Sequence, residues 1–395
     1  MADWKKALGF TDRLTAIQSL TTAYQRASSS AAFAEAQSQA KRFETEAYDQ
    51  ATSKEEYDQF CQKAIDAAEA TGSAAPVISC PDLVQNKEGV EDWPAGQDIG
   101  PYKACLHHFD GLHSTIYKSR RTDGTLVAVK VTVPHLLVPP HDAKCEVQLL
   151  RETAGTHVIP LLETLKLDGG RLILVFPFMK HDFEHLLRRG MLTATQTRSH
   201  LRDLFRALAH VHELGVIHRD IKPSNILLDS PDGPAYLADF GIAWKEGHNE
   251  TEPADKKITD VGTTCYRPPE ILFGYKGYDS ALDLWAAGCV VAEAVAVGHK
   301  QLFDSGPLGS DLSLIQSIFQ TLGTPDEEIW PEQETEKLPD WGKVEFYRYP
   351  AKSWDDILRG ASSKGRDLVS QLVRYESSQR ISATEALRHP YFSAC

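Results

Sequence analysis

Sulfur is sparse and unpatterned in this chain. Three methionines and seven cysteines are spread over 395 residues. The cysteine count is odd, and Cys61, Cys80, Cys105, Cys145, Cys265, Cys289 and Cys395 include no C-x-x-C pair. That pattern argues against a disulfide framework and predicts free thiols in a reducing compartment. Positive charge is also short: 42 Lys and Arg face 55 Asp and Glu, a net charge of −13. Nucleic acid and anionic membrane are therefore poor candidates for the main partner, although local basic patches stay possible. Long apolar runs are missing. The strongest, Leu172 to Met179, is far too short to span a bilayer. The start, MADWKKALGF, has no apolar run suited to a secretory signal. A nuclear or cytoplasmic protein is expected, neither secreted nor held in a membrane.

What is present is ordinary for a globular protein, with 42% hydrophobic and 25% charged residues and length for about two domains. Residues 1–70 read as a helical extension. Its best helix is Lys54 to Ala70, where Tyr57, Phe60, Cys61, Ala64, Ile65 and Ala68 repeat at three and four behind the capping box Ser53-Lys54-Glu55-Glu56. Leu14, Ile17, Leu20 and Tyr24 suggest an earlier helix, Phe33, Ala36, Ala40, Phe43 and Ala47 a middle one, and Ser28-Ser29-Ser30 a break between them. No chemical motif lies here. Residues 71–96, punctuated by Gly72, Pro76, Pro81, Gly89, Pro94 and Gly96, read as a linker.

The chemistry begins at His218-Arg219-Asp220-Ile221-Lys222-Pro223-Ser224-Asn225, followed by Asp239-Phe240-Gly241. The residue types suit phosphoryl transfer, whose loose transition state asks mainly for positioning and charge compensation. Asp220 can orient a substrate hydroxyl and accept its proton. Lys222 supplies a point charge for the transferring group. Asn225 and Asp239 offer hard oxygen ligands of the kind Mg²⁺ takes. A polar turn between strands is the bland alternative, and two such motifs in order make it a poor one.

Matching neighbours flank the pair. Ser114–Lys118 and Thr125–Val133 form a hairpin signal around Thr122-Asp123-Gly124, and the second arm contains Val127-Ala128-Val129-Lys130. Glu146, on the helix expected next, is the natural ion-pair partner of Lys130. Against the glycine-rich loop of the protein kinases that these motifs resemble, this one is worn: of three glycines only Gly111 stands, with Phe109 and Ser114 in the outer places. Side chains there hinder the approach of backbone amides to phosphate. Leu172–Phe176 reads as a buried strand. Downstream, Leu201, Leu204, Phe205, Leu208 and Val211 mark an amphipathic helix, and a polar loop runs to about residue 262. Gly262-Thr263-Thr264-Cys265-Tyr266-Arg267-Pro268-Pro269-Glu270 closes it. Ala281 to Val295 is apolar almost all round, a buried helix in which the Asp283 carboxylate needs partners.

With LVFPFMKHDF, YRPPEILFG, DLWAAGCVVAE, IFQTLGTPDEEIWPE and QRISATEALRHPYF, these motifs make residues 97–393 resemble a eukaryotic serine/threonine protein kinase of the cyclin-dependent-kinase-like, CMGC group. The GTTCYRPPE segment and the worn loop are closest in flavour to fungal kinases that activate cyclin-dependent kinases. The resemblance implies an α+β two-lobe fold: a small antiparallel lobe with one helix at 97–180 and a mainly helical lobe at 181–393. It implies ATP and Mg²⁺, with Lys130, Glu146, Asp220, Lys222 and Thr263 catalytic, and Asn225 and Asp239 on the metal. ATP would meet Gly111, Ile116, Ala128, Lys130, Phe176, Pro177, Met179, Asp182, Asn225, Leu227 and Asp239. Asp283 would cap the catalytic-loop amides, Arg380 would pair with Glu270, and Thr263 would bridge Asp220 and Lys222. Substrates would be Ser or Thr of proteins, other cyclin-dependent kinases among them.

Two departures bear on regulation. No PSTAIRE-like cyclin-binding sequence surrounds Glu146. Of three arginines that grip an activation-segment phosphothreonine in related kinases, only Arg219 is kept. The others fall on Cys145 and Trp244, and the threonine on Ile258, beside Thr259; Lys256 and Lys257 are read as mobile. A monomer active without cyclin or activation-loop phosphorylation is expected. The alternative is a pseudokinase scaffold with weakened nucleotide binding, suggested by Phe109 and Ser114.

Overall fold

The computed structural model describes residues 53–70, 93 and 96–393, less 112, 249–251, 307–308 and 332–337, with scattered positions between 16 and 51. Two compact units, Met1–Glu91 and Asp92–Cys395, follow from the contacts. The break expected at Ser28-Ser29-Ser30, most of the expected linker, and Leu14, Ile17, Phe33 and Ala36 lie outside the described residues.

In the first unit, helix α1 (Lys54–Ala70) has the bounds read from the apolar repeat. Ser53 Oγ accepts the N–H of Glu56 at 3.2 Å. Its apolar stripe supplies Tyr57 and Cys61 to a small core with Leu20, Ala40, Ala47 and Ala51. The Tyr57 hydroxyl donates to Glu44 at 2.9 Å, which satisfies a buried phenol.

The second unit opens with a six-stranded antiparallel sheet, in the order β1 (Gln97–Ile99), β2 (Tyr102–Asp110), β3 (Ser114–Arg120), β4 (Leu126–Thr132), β6 (Leu172–Pro177) and β5 (Glu163–Lys166). Alternation sorts its side chains. Val127, Val129, Ile173 and Val175 are fully buried on one face, in a core with Ile99, Tyr102 and Cys105. Cross-strand register puts Ile116 opposite Lys130, and Ala128 opposite both Lys118 and Phe176, on the other face. Helix α2 (Ala143–Glu152) starts at Asp142, whose carboxylate accepts the N–H groups of Lys144 and Cys145.

The larger lobe follows: β7 (His181–Asp182), α3 (Phe183–Arg188), α4 (Ala194–Glu213), β8 (Val216–Ile217), β9 (Ile226–Leu228), β10 (Ala235–Leu237), β11 (Trp244–Lys245), α5 (Pro269–Leu272), α6 (Ala281–Val295), α7 (Asp311–Leu322), α8 (Trp354–Ile357), α9 (Ser363–Leu372) and α10 (Ala383–Leu387). Two small sheets, β10-β9-β7 and β11-β8, carry the loops between α4 and α5. The α4 stripe Leu201, Leu204, Phe205, Leu208 and Val211 is buried, as is every residue of α6 up to Ala294. Gly288 lets α9 come close to α6: a Cβ there would stand 2.6 Å from Val373 Cγ2 and 2.9 Å from Leu372 Cβ. The segment IFQTLGTPDEEIWPE is explained by an aromatic cluster in which Trp330 packs on Phe273, Trp341 and Tyr375. The described cysteines, Cys61, Cys105, Cys145, Cys265 and Cys289, are buried free thiols. Among the described residues, no helix is long and apolar enough to cross a membrane. The architecture is the expected α+β pair of lobes.

Candidate active site

The sheet's cleft face and the loops after β8 and β10 converge on one group of charges. Lys130 Nζ, projecting from β4, lies 2.6 Å from Glu146 Oε1 of α2 and 3.0 Å from Asp239 Oδ1. Burial alone would pull the Lys130 ammonium down, but the Asp239 and Glu146 carboxylates together hold it above the usual lysine range. Lys130 in turn keeps Asp239 well below the usual carboxylate range, against the opposing effect of burial. Helix α2 is tied at its start by the Asp142 N–H donating to the Gly241 carbonyl at 3.3 Å. At its end, Glu152 accepts from Lys245 Nζ and His248 Nε2, each at 2.8 Å.

Asp220 sits at the centre of a second network. Its Oδ1 accepts the Thr263 N–H at 3.0 Å and the Thr263 hydroxyl at 2.8 Å. Its Oδ2 meets Lys222 Nζ at 2.8 Å and Asn225 Nδ2 at 3.1 Å. Lys222 Nζ also donates to Thr263 Oγ1 at 2.9 Å, so Thr263 stands between acid and ammonium. Asn225 gives its amide N–H bonds to the Asp220 carboxylate and carbonyl, which leaves Oδ1 as its atom for another partner.

The backbone here is held in unusual conformations. Arg219 and Asp239 have φ of 70° and 66°, the left-handed region that non-glycine residues seldom enter. Such conformations persist where the surroundings over-determine them. Asp283, buried on α6, accepts the N–H groups of His218 and Arg219 at 2.8 and 2.9 Å and a bond from His212 Nε2 at 2.8 Å. Burial alone would raise its pKa; the bond and charge of His212 bring it below the usual value. Gly262 has φ of 77°, and a Cβ there would meet the Arg219 carbonyl oxygen at 2.7 Å, so only glycine fits. Below, Arg380 donates to both oxygens of Glu270, at 2.6 and 2.7 Å, and anchors the end of the activation segment.

The remaining expected site residues lie on the sheet and on the segments that follow it. Ile116, Ala128 and Phe176 share the cleft face of the sheet with Lys130. Pro177 ends β6, Met179 follows it, and Leu227 lies on β9 opposite Tyr236 and Asp182. Asp182 carries a second duty: its Oδ1 caps α3 by accepting the His185 N–H at 2.8 Å, leaving only Oδ2 for a ligand. Gly111 donates its N–H to the Ser114 carbonyl at 2.8 Å and closes the β2–β3 hairpin. Phe109 is 57% exposed, and its ring edge lies 3.7 Å from where a Gly111 Cβ would stand, so it covers the turn.

One expectation is corrected. Lys257 is not mobile: it is buried, donates to the Ala254 carbonyl at 2.5 Å and lies over the rings of Trp244 and Tyr278 at 4.5 and 5.1 Å. Its aromatic box and the Ala254 carbonyl already satisfy it. Sequence reasoning also missed Glu252, the buried partner of Arg219, and Glu152. Neither has a motif; both meet their partners through the folded loop after Gly241.

Residues 110–392 match the protein kinase domain family, and residues 1–76 match the KIX domain family. Cyclin-dependent kinase 20 of Danio rerio is 34% identical over 289 residues, covering 72% of this chain and 80% of that protein. Serine/threonine-protein kinase csk1 of Schizosaccharomyces pombe is 35% identical over 283 residues, 70% of this chain and 90% of its own length. Cyclin-dependent kinase 20 of Homo sapiens is 31% identical over 290 residues, 72% and 80% of the two chains.

Proposed function

The chain belongs to the protein kinase family as a cyclin-dependent-kinase-like serine/threonine kinase, and from that premise we propose that it works as a single chain and that its protein substrates include other cyclin-dependent kinases. The observation that carries the single-chain reading is the closed Lys130–Glu146 pair, 2.6 Å long. The bonds from Lys245 and His248 to Glu152 support it, because they tie α2 to the loop after Gly241 from within. The substrate reading rests on the GTTCYRPPE segment and the loop with one glycine. A nuclear or cytoplasmic site of action accords with the buried free thiols.

A kinase domain uses ATP and a divalent metal, and the cation we assign is Mg²⁺. The donor set fits it: the Asp239 carboxylate and the Asn225 amide oxygen are hard ligands. Among the described residues, no three His, Cys, Asp or Glu side chains converge into a protein-only cage. Mg²⁺ bound through one or two side-chain oxygens plus phosphate and water needs no such cage. ATP, when bound, would supply the γ-phosphoryl group and leave as ADP.

The protein's part is positioning and charge. Lys130, held by Glu146, would meet the nucleotide phosphates. Ile116, Ala128, Phe176 and Leu227 would enclose the base, Pro177 and Met179 would offer it backbone groups, Asp182 would take the ribose, and Gly111 would serve the phosphates. Asp220 orients the substrate hydroxyl and takes its proton. The Thr263 bonds fix the carboxylate, and Lys222 offsets charge on the transferring group. The test is incubation of the purified chain with unphosphorylated cyclin-dependent kinases, ATP and Mg²⁺, followed by mapping of phosphosites. Threonine phosphorylation in their activation segments, lost in Asp239→Asn and abolished by chelator, is expected. Phosphorylation of a general Ser/Thr protein with none of those kinases modified would overturn the substrate assignment.

A further inference from the structure

The activation segment contains a buried ion pair that the catalytic networks above do not use. Glu252 and Arg219 are each 1% exposed. The pair is bidentate: Arg219 Nη1 donates to Glu252 Oε1, and Nη2 to Oε2 at 3.2 Å. Arg219 Nε donates to the carbonyl of Ile242, the residue after Asp239-Phe240-Gly241. Arg219 Nη1 also reaches the Tyr278 hydroxyl at 3.1 Å, and that hydroxyl donates to the Ile258 carbonyl at 2.6 Å. One guanidinium thus touches the metal loop, the activation segment and the base of the lower lobe. It belongs to the residue beside Asp220, whose backbone is left-handed at φ 70°.

The rest of the segment is built around the same carboxylate. Oε1 accepts the Ile258 N–H at 2.9 Å and closes the turn from 252 to 258. The Glu252 carbonyl accepts the Trp244 indole N–H at 2.8 Å. Five residues after Ile258 comes Thr263, which holds Asp220. A carboxylate carries one negative charge, and one guanidinium in fork geometry satisfies it. An added phosphate carries about −1.5 to −2 and asks for more than one cationic partner. The surroundings match the smaller charge: Lys257 is already placed over Trp244 and Tyr278.

We propose that Glu252 is a positioning residue for the phosphoryl-transfer reaction: its built-in carboxylate fixes Arg219, and through it the catalytic loop and activation segment, with no covalent modification. This deepens the single-chain kinase reading and rests on it. On this reading the placement of residues 252–263 does not depend on a phosphate, so phosphatase treatment should leave activity in place.

Glu252→Gln keeps shape and removes charge, and Glu252→Asp keeps charge on a shorter arm. In Glu252→Gln, kcat is expected to fall at least tenfold while the KM for ATP changes less than threefold and unfolding stays cooperative. Glu252→Asp should recover part of the loss. Wild-type kcat in Glu252→Gln, or an aspartate variant no better than Glu252→Ala, overturns the proposal. A measurement without variants guards against misfolding. The intact wild-type chain, stripped by phosphatase and confirmed bare by mass spectrometry, should keep kcat within twofold; a fall of more than tenfold overturns the proposal. Asp220→Asn, run in parallel, tests the kinase reading separately: transfer surviving in that variant would refute Asp220 as the base, while the Glu252 variants decide the proposal by their own kcat.

Discussion

Replacing Thr263 by valine isolates one hydroxyl at the centre of the site. The side chain is half-buried and its backbone lies at φ −74° and ψ 128°, a conformation valine adopts readily. The substitution keeps the branch at Cβ and the backbone N–H bond to Asp220 Oδ1 at 3.0 Å. It deletes the hydroxyl that donates to Asp220 at 2.8 Å and accepts from Lys222 at 2.9 Å. Lys222 keeps its direct 2.8 Å contact with Asp220 Oδ2, so the pair does not collapse. A hydrogen bond to a charged group contributes about 1.5–3 kcal/mol. If that is lost from the transition state, the rate falls by roughly 10- to 150-fold, at about 1.4 kcal/mol per factor of ten. The retained contacts favour the lower end. The assay is steady-state phosphotransfer at saturating ATP, with thermal melting as a fold control and Thr263→Ser as rescue. Wild-type kcat in the valine variant, or a serine variant as slow as valine, would refute the reasoning.

Three further outcomes are expected. Phe109→Gly combined with Ser114→Gly should tighten ATP binding by calorimetry, because the exposed Phe109 ring covers the Gly111 turn; unchanged or weaker affinity would show that the side chains form a working cradle. Arg380→Ala leaves Glu270 buried without its partner and should lower stability by about 3–5 kcal/mol in denaturant melts, whereas a loss under about 1 kcal/mol, the range of an exposed pair, would contradict the buried geometry. Hydrogen bonds from Lys245, then His248 and Gln148, depress the Glu152 carboxyl to about 2. A depressed folded-state pKa contributes stability above the unfolded value and loses it as pH falls toward the folded one. The melting-temperature gap between wild type and Glu152→Gln should therefore be full at pH 6 and shrink below about pH 4.5, and a gap that grows on acidification would reverse the sign.

The parts of the molecule that obey local rules were open to reading. The α6 bounds follow from fifteen nearly unbroken apolar positions, and the β3–β4 pairing follows from the turn signal Thr122-Asp123-Gly124 between two strand-like stretches. Motif spacing named Lys130, Glu146, Asp220, Asn225 and Asp239, and the fold brings their side chains into two networks. What stayed hidden lies in polar loops. Glu252 meets Arg219 across 33 residues, and Glu152 meets Lys245 across 93, with no periodicity to signal either contact. Lys257 looked like a free surface cation because nothing in the sequence places Trp244 and Tyr278 on either side of it. Asp182 looked like a ligand group alone, since a helix of six residues behind it gives little signal for a cap.

The central claim is that a working serine/threonine phosphotransferase is assembled within this one chain. It is tested most directly by single-turnover transfer from ATP with Mg²⁺ to a Ser/Thr protein substrate, using the gel-filtered chain alone beside Asp220→Asn. The account predicts phosphoprotein from the wild-type chain and at least a hundredfold less from the variant. Tight ATP binding with no phosphoprotein from the wild-type chain would contradict it, and would make the molecule a nucleotide-binding scaffold.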